Sequence, residues 1–452
     1  MSSSDVPVGI SRRSFLLSTL ALSALDYTTL LAKTPASSPT IIRGPYLQRT
    51  TDNGVVIMWR TDVECESRVH FGINRDNLSL VYHSSGPVTE HTARIIGMDP
   101  KTIYYYEIRD EDRLIGGGTQ NHYFMTAPEK GSKMPTRIWV LGDIGWPTEE
   151  LRQVRDEYYD YTNGRHTDLC LLLGDIAYSH GRDREYQAPL FDMFRDLVCC
   201  TPTWPTYGNH DSYCNTCDST RDTGPYFDIF KVPNSGQAGG VPSYSKAYYS
   251  FDYGNIHFIS LNSTDWQGSQ MLEWLYADLS KSEPTWTIVF WHHPAYSRGA
   301  YDSDVSSELA LMRTEVMPIL ERYGVDLILT GHNHCYERSY LINGHHGTAD
   351  TIEEKMILSH SDGTTQGGGI YVKTSLSQQP DEGLVHISMG CSSIIKDGSL
   401  DHPAMYKSVA DFGSLVIDVV DNQLNAKMIN NMGRIIDEFT IQRGSRNYLP
   451  IA

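Results

Sequence analysis

The sequence predicts an antiparallel β-sandwich followed by a larger α/β domain, and three observations carry that reading. From about residue 41 to 126, short runs alternate apolar and polar residues between turn residues, as in Gly54-Val55-Val56-Ile57-Met58-Trp59 and Ser67-Arg68-Val69-His70-Phe71-Gly72. That is the pattern of half-buried strands. From Pro135 onward, apolar runs suited to strands buried on both faces alternate with stretches repeating apolar residues every three or four positions. Finally, five of those apolar runs (138–141, 169–173, 204–207, 287–291 and 327–330) each lead into a short motif rich in Gly, Asp, Asn or His. Strand ends of this kind are where α/β proteins place their chemistry.

Taken in chain order, the first element is an address. Ser11-Arg12-Arg13-Ser14-Phe15-Leu16 precedes a mildly apolar stretch over 17–25, and small residues surround Thr34-Pro35-Ala36. This resembles a bacterial twin-arginine export signal over 1–38, which implies a periplasmic or secreted protein. Beyond it no stretch of 18 or more apolar residues occurs, so no membrane span is expected in the mature chain. The sandwich is assigned to 41–127. Within it His70, His83 and His91 read as surface or strand-face residues, not ligands. Ala127-Pro128-Glu129-Lys130-Gly131-Ser132 reads as a linker.

The second domain is assigned to 134–443. Helices are expected over 149–159, 185–197, 270–279 and 307–323, with Leu272, Leu275 and Leu279 as a core-facing stripe. A Ser/Gly-rich segment over 359–369 should be a surface loop, and 414–420 and 435–441 return to strand-like alternation. Cys214-Asn215-Thr216-Cys217 lies in a polar loop. No second Cys pair stands at zinc-site spacing, so it reads as a local disulfide or a pair of free thiols. Cys170 and Cys391 read as buried packing thiols.

Composition narrows the function classes. Of 452 residues, 40% are hydrophobic and 20% charged, as in ordinary globular proteins, and the net charge is −18. So acidic a chain lacks the basic footprint that long nucleic acid requires. A phosphate substrate would need a local positive centre, and bound cations supply one.

The five motifs are Gly142-Asp143-Ile144-Gly145, Gly174-Asp175-Ile176-Ala177-Tyr178, Gly208-Asn209-His210-Asp211, Val289-Phe290-Trp291-His292 and Gly331-His332-Asn333-His334. Their carboxylates, phenol, amide and imidazoles are the donors of a two-metal hydrolytic site. The order and content of the motifs resemble the metallophosphoesterases, and Tyr178 narrows the resemblance to the purple acid phosphatases. It runs from about residue 41 to about 443. It implies a four-layer α/β/β/α sandwich. Gly44-Pro45-Tyr46-Leu47-Gln48 and the run 102–108 resemble the fibronectin type III-like domain that precedes it in plant members.

The resemblance also implies roles. One metal would be held by Asp143, Asp175, Tyr178 and His334, the other by Asp175, Asn209, His292 and His332, with Asp175 bridging. Two carboxylates and a phenolate favour a trivalent ion, Fe(III). Two imidazoles, an amide and the shared carboxylate suit divalent Fe, Zn or Mn. A metal-bound hydroxide would then attack phosphorus, with an optimum in acid. His210 is the candidate proton donor to the leaving group, oriented by Asp211 through a hydrogen bond. His293, following His292 on a strand, should point to the opposite face and act structurally or behind the ligands.

Plant members carry two adjacent histidines beyond the fourth motif. Here the stretch reads Tyr296-Ser297-Arg298-Gly299-Ala300-Tyr301-Asp302. Substrate contacts must therefore differ, and Arg298, Tyr301 and His180 are the candidates. The function implied is an acid phosphatase acting on small phosphomonoesters. The alternatives are a phosphodiesterase or nucleotide pyrophosphatase on the same metals, and a non-catalytic adhesion or phosphate-binding protein.

Overall fold

Strands buried along their whole length set up the centre of the molecule, which is known here from a computed structural model describing residues 38–266 and 268–444. The leader assigned to 1–38 lies almost wholly outside those residues. Thr136–Leu141, Leu169–Leu172 and Thr203–Pro205 pair in parallel, Ile138 opposite Leu169 and Cys170 opposite Thr203. Being covered on both faces, they show no polar alternation. Gly413–Val420 adds antiparallel to the free side of Thr136–Leu141, and Gln423–Asn430, Ile435–Arg443 and Tyr371–Lys373 complete a seven-stranded sheet.

A second seven-stranded sheet has four parallel strands at its centre, Ile256–Ser260, Trp286–Trp291, Leu327–Thr330 and Val385–Met389. Tyr249–Tyr253 forms one edge, and Tyr336–Ser339 and Met405–Val409 the other. The sheets share one apolar core. Across it the Trp204 ring stacks on Phe251 with centroids 3.7 Å apart.

Helices cover the outer faces. Glu149–Thr162 starts where Thr148 Oγ1 accepts from Leu151 N and stops at Asn163, whose left-handed backbone ends the repeat. Its Tyr158 stacks on Trp139 of the first sheet at 3.8 Å. Ser269–Lys281 lies against the second sheet through Met271, Trp274, Leu275 and Leu279. Leu272 of the expected stripe is only half-buried, and Trp274 takes the inward position instead. The result is the α/β/β/α layering that the resemblance implied.

Two expected helices are interrupted. The 185–197 stretch breaks into Asp183–Tyr186, a wide turn over Gln187–Asp192 and Arg195–Val198. The 307–323 stretch widens at Met312–Val316 before Met317–Arg322. Pro189 and Pro318 remove the amides that regular helices would need there.

The N-terminal part is all β. Gly54–Gly72 pairs with Ile41–Thr51 in its first half and with Ile103–Asp110 in its second, while Leu80–Ile96 runs beside both halves. Register shifts between Arg60 and Ser67 bend it. The layers are thus one hydrogen-bonded sheet folded around Leu47, Ile57, Trp59, Val69, Tyr106 and Phe124. His91 is not a surface residue: it is fully buried, stacked on Trp59 at 4.6 Å and hydrogen-bonded to Thr61 and Ser67.

Polar contacts hold this part to the two-sheet core. Arg43 and Arg60 both pair with Asp183, at 2.8 and 2.6 Å, and Gln48 Nε2 donates to Thr203 Oγ1 at 2.8 Å. The 127–132 stretch is tied at both ends, Ala127 N donating to Thr51 O and Gly131 N to Gly254 O. Cys214 and Cys217 form a disulfide, and Cys170 and Cys391 are fully buried free thiols. Among the described residues no helix is long and apolar enough to cross a membrane.

Candidate metal centre

Parallel pairing brings the C-terminal ends of five strands to one place, and each end releases its motif there. The loops pack too closely for larger residues. A Cβ on Gly208 would lie 2.1 Å from Asp175 N, and one on Gly331 would lie 2.5 Å from Asp143 Oδ2.

Two groups of donor atoms result. In the first, Tyr178 Oη stands 3.1 Å from Asp143 Oδ1, 3.0 Å from Asp175 Oδ2 and 3.3 Å from His334 Nε2. In the second, Asn209 Oδ1 stands 2.9 Å from His292 Nε2 and 3.0 Å from His332 Nδ1, and His292 Nε2 is 3.4 Å from Asp175 Oδ1. Asp175 therefore turns one oxygen to each group. The seven residues expected as ligands are brought together here.

Hydrogen bonds from the neighbours orient those donor atoms. His292 Nδ1 donates to Leu173 O at 2.8 Å, which aims Nε2 inward. Asp143 Oδ2 accepts from His332 N at 2.9 Å, leaving Oδ1 for the first group. His210 N donates to Asp175 Oδ1 at 2.8 Å.

The electrostatics of the site favour a cation. Burial, and then the Asp143 and Asp175 charges, raise the Tyr178 phenol well above its ordinary value. Burial would also raise the Asp175 carboxyl, but the His292 imidazole and then His210 hold it below the carboxylate range. His292 is pushed up to about 9 against burial by Asp175 and Asp143. A phenol beside two carboxylates loses its proton readily only when a cation replaces it. The donor set thus fits a pair of metal ions.

His210 is half-buried. Its Nδ1 donates to Ser179 O at 2.9 Å, and its Nε2 lies 4.0 Å from Asp175 Oδ2. Asp211 does not orient it, contrary to expectation. The Asp211 carboxylate accepts from Ile176 N, Gly208 N and Tyr186 Oη at 3.2, 3.1 and 2.9 Å, tying the second and third motif loops together. The short turn His210–Ser212 sends adjacent side chains apart. Burial, and then the Asp175 charge, push this carboxyl up to about 7.

His293 also departs from expectation. The strand ends at Trp291, alternation ends with it, and the His293 ring sits 4.3 Å from that of His332. Its Nδ1 meets Ser263 Oγ at 3.0 Å. One ring nitrogen each of His292, His293 and His332 lie within 4.8 Å of one another, so His293 borders the second group.

The three substrate candidates separate. Tyr301 stacks on His332 with centroids 4.4 Å apart. The Arg298 guanidinium turns to Asp302, Asp304 and Asp401 at 3.7, 3.4 and 3.5 Å. His180 is exposed and faces Glu185 at 3.8 Å. Trp146, stacked on Tyr178 at 5.6 Å, and Tyr213, edge-on to His210 at 5.0 Å, were not singled out by sequence. Their place three or four positions beyond an expected ligand, Asp143 or Asn209, is the one signal that marks them.

Comparison with known proteins agrees with this geometry. The family of calcineurin-like phosphoesterases matches residues 136–336. Purple acid phosphatase 15 of Arabidopsis thaliana is 29% identical over 325 residues, covering 63% of this chain and 57% of that protein. Purple acid phosphatase 21 of the same plant is 30% identical over 269 residues, 57% of this chain and 54% of its own. The chain thus spans little more than half the length of these curated relatives. The structure of a purple acid phosphatase from yellow lupin (Lupinus luteus) seeds superposes with a TM-score of 0.67 at 19% identity, over 88% of this chain and 74% of that one. At that identity the likeness concerns the fold.

Proposed function

We propose that this chain, a purple acid phosphatase-like metallophosphoesterase in sequence and fold, hydrolyses small phosphate monoesters and works best in acid. The observation that carries the reading is Asp175 turning one oxygen to each of two donor groups, one with a phenol and one with two imidazoles. Asp143, Asp175, Tyr178 and His334 would hold Fe(III), and Asp175, Asn209, His292 and His332 a divalent Fe, Zn or Mn ion. Such a pair supplies an acidified water and neutralises charge on phosphate oxygens.

The chain's own groups do the rest. Leu173 O and the His332 amide hold ligand atoms in place, so little reorganisation accompanies binding. Ser179 O holds Nδ1 of His210, leaving Nε2 to hand a proton to the departing oxygen when the ring is charged.

The test is phosphate release from an aryl monoester and the matching diester across pH, using protein whose iron, zinc and manganese have been measured. A rate peaking below neutrality on the monoester is expected. A strong diester preference would move the reading to a phosphodiesterase, and no release from any ester would leave a binding protein. We further assign 1–38 as an export leader to the periplasm or outside, and 41–127 and 134–443 as separate domains. Long nucleic acid is no substrate for so acidic a chain.

A further inference from the structure

Three large aromatic rings stand exposed around the donor groups: Trp146 is 43% exposed, Tyr213 53% and Tyr301 41%. Each rests on a residue of the centre. Trp146 lies nearly parallel to Tyr178, at 18° and 5.6 Å. Tyr301 lies nearly parallel to His332, at 24° and 4.4 Å. Tyr213 meets His210 edge-on at 5.0 Å, and its hydroxyl accepts from Asn209 Nδ2 at 3.0 Å. They come from three separate loops, following the first, third and fourth motifs.

The rings are held in place. Asn333, between ligands His332 and His334, accepts from Tyr301 N at 2.8 Å and donates to Tyr301 O at 2.9 Å. The one cation in the Tyr301 loop, Arg298, is occupied by three aspartates. Contact between that loop and a leaving group therefore falls to a π face and not to a charge. Exposed apolar surface gathered at a polar centre marks a ligand-contacting surface.

Resting on the phosphomonoesterase reading above, we propose that Trp146, Tyr213 and Tyr301 form a stacking rim that selects monoesters whose leaving group carries a flat unsaturated ring, a nucleobase or an aryl group. Stacking of this kind tolerates any planar ring, because every such ring offers a π face. The rim thus sets a class of leaving group, not one compound.

Adenosine 5′-monophosphate and ribose 5-phosphate isolate the effect, since both release the same primary alkoxide. The metal-loaded wild type should show kcat/KM about tenfold or more higher for the nucleotide. W146A, Y213A and Y301A should each lower that ratio severalfold, whereas W146F and Y301F, which keep a ring, should retain most of it. Binding gives an independent readout. In calorimetry the adenosine phosphonate with CH2 in place of the ester oxygen should bind more tightly than its ribose counterpart, and W146A should erase the difference. Equal kcat/KM for the two substrates, or a ratio unmoved by all three alanine variants, would overturn the rim while leaving the phosphomonoesterase intact. No phosphate from either substrate would overturn the parent reading.

Discussion

Asp143, Asp175 and His332 hold left-handed backbone, with φ of 55°, 51° and 64°. Non-glycine residues occupy that region at a cost of about 1–3 kcal/mol each. Here the twist turns side chains from the first, second and fifth motif loops toward one another. Tyr178 adds what those residues lack, an oxygen 3.0 to 3.3 Å from the remaining three donors of its group. A tyrosinate on Fe(III) would absorb visible light by charge transfer, so Tyr178→Phe should remove that absorption from iron-loaded protein and weaken iron binding, as spectra and metal analysis would show. A colourless iron-loaded wild type would remove the ferric assignment. His210 and Asp211, adjacent in sequence, should separate in experiment. His210→Ala removes the proposed proton donor, which is half-buried, so kcat should fall about 10²- to 10⁴-fold with little change in Tm. Asp211→Ala strands three buried donors, so stability should fall by at least about 3 kcal/mol and metal loading should suffer. Equal Tm for the two variants would contradict these assignments.

At the scale of elements, strands make the centre and loops must then fit together without gaps. Gly208→Ala places a Cβ 2.1 Å from Asp175 N and 2.4 Å from Asp175 Oδ1, and those atoms belong to the residue proposed to bridge the metals. The expected outcome is a folded protein that no longer retains two metals per chain; full metal occupancy in that variant would show the loops to be pliable. Much of this was readable in advance. Apolar runs such as 287–291 and 327–330 identify fully buried strands, and a ligand type directly after each run marks the centre. What was not readable depends on geometry finer than periodicity. The side of the chain taken by His293 depends on the strand stopping at Trp291, and the partner of Asp211 depends on a single turn. Interruptions near Pro189 and Pro318 divide helices whose apolar spacing continues through the break. Gln423–Asn430 was missed as a strand between two that were expected, because Asn and Lys interrupt its apolar residues. Trp146 and Tyr213 are two aromatics among 8 Trp and 28 Tyr, and no motif distinguishes them before the loops are folded.

Across the whole molecule, the two-sheet core carries a charged group far from the metal centre. His257, fully buried, donates from Nδ1 to Asp252 at 2.7 Å and from Nε2 to Asp278 at 2.8 Å. Asp252 also takes Lys130 from the connecting stretch at 2.8 Å, and Asp278 also accepts from Val241 N and Ser250 Oγ. One imidazolium thus joins the edge strand Tyr249–Tyr253, its neighbour Ile256–Ser260 and the outer helix Ser269–Lys281, with the connecting stretch attached. Burial works against the charge, but the two carboxylates outweigh it and push His257 up to about 9. The folded value lies above the unfolded one, near 6.5. Its stabilisation is therefore complete below about pH 6 and disappears as pH rises through about 9, amounting to something on the order of 3 kcal/mol. Urea unfolding at pH 6 and pH 10 should show the wild type losing about that much more stability than His257→Gln, whose amide cannot titrate. Because the group is remote from the metal ligands, the same difference should persist after chelation. An equal loss in wild type and variant would mean that the His257 proton is not retained by folding.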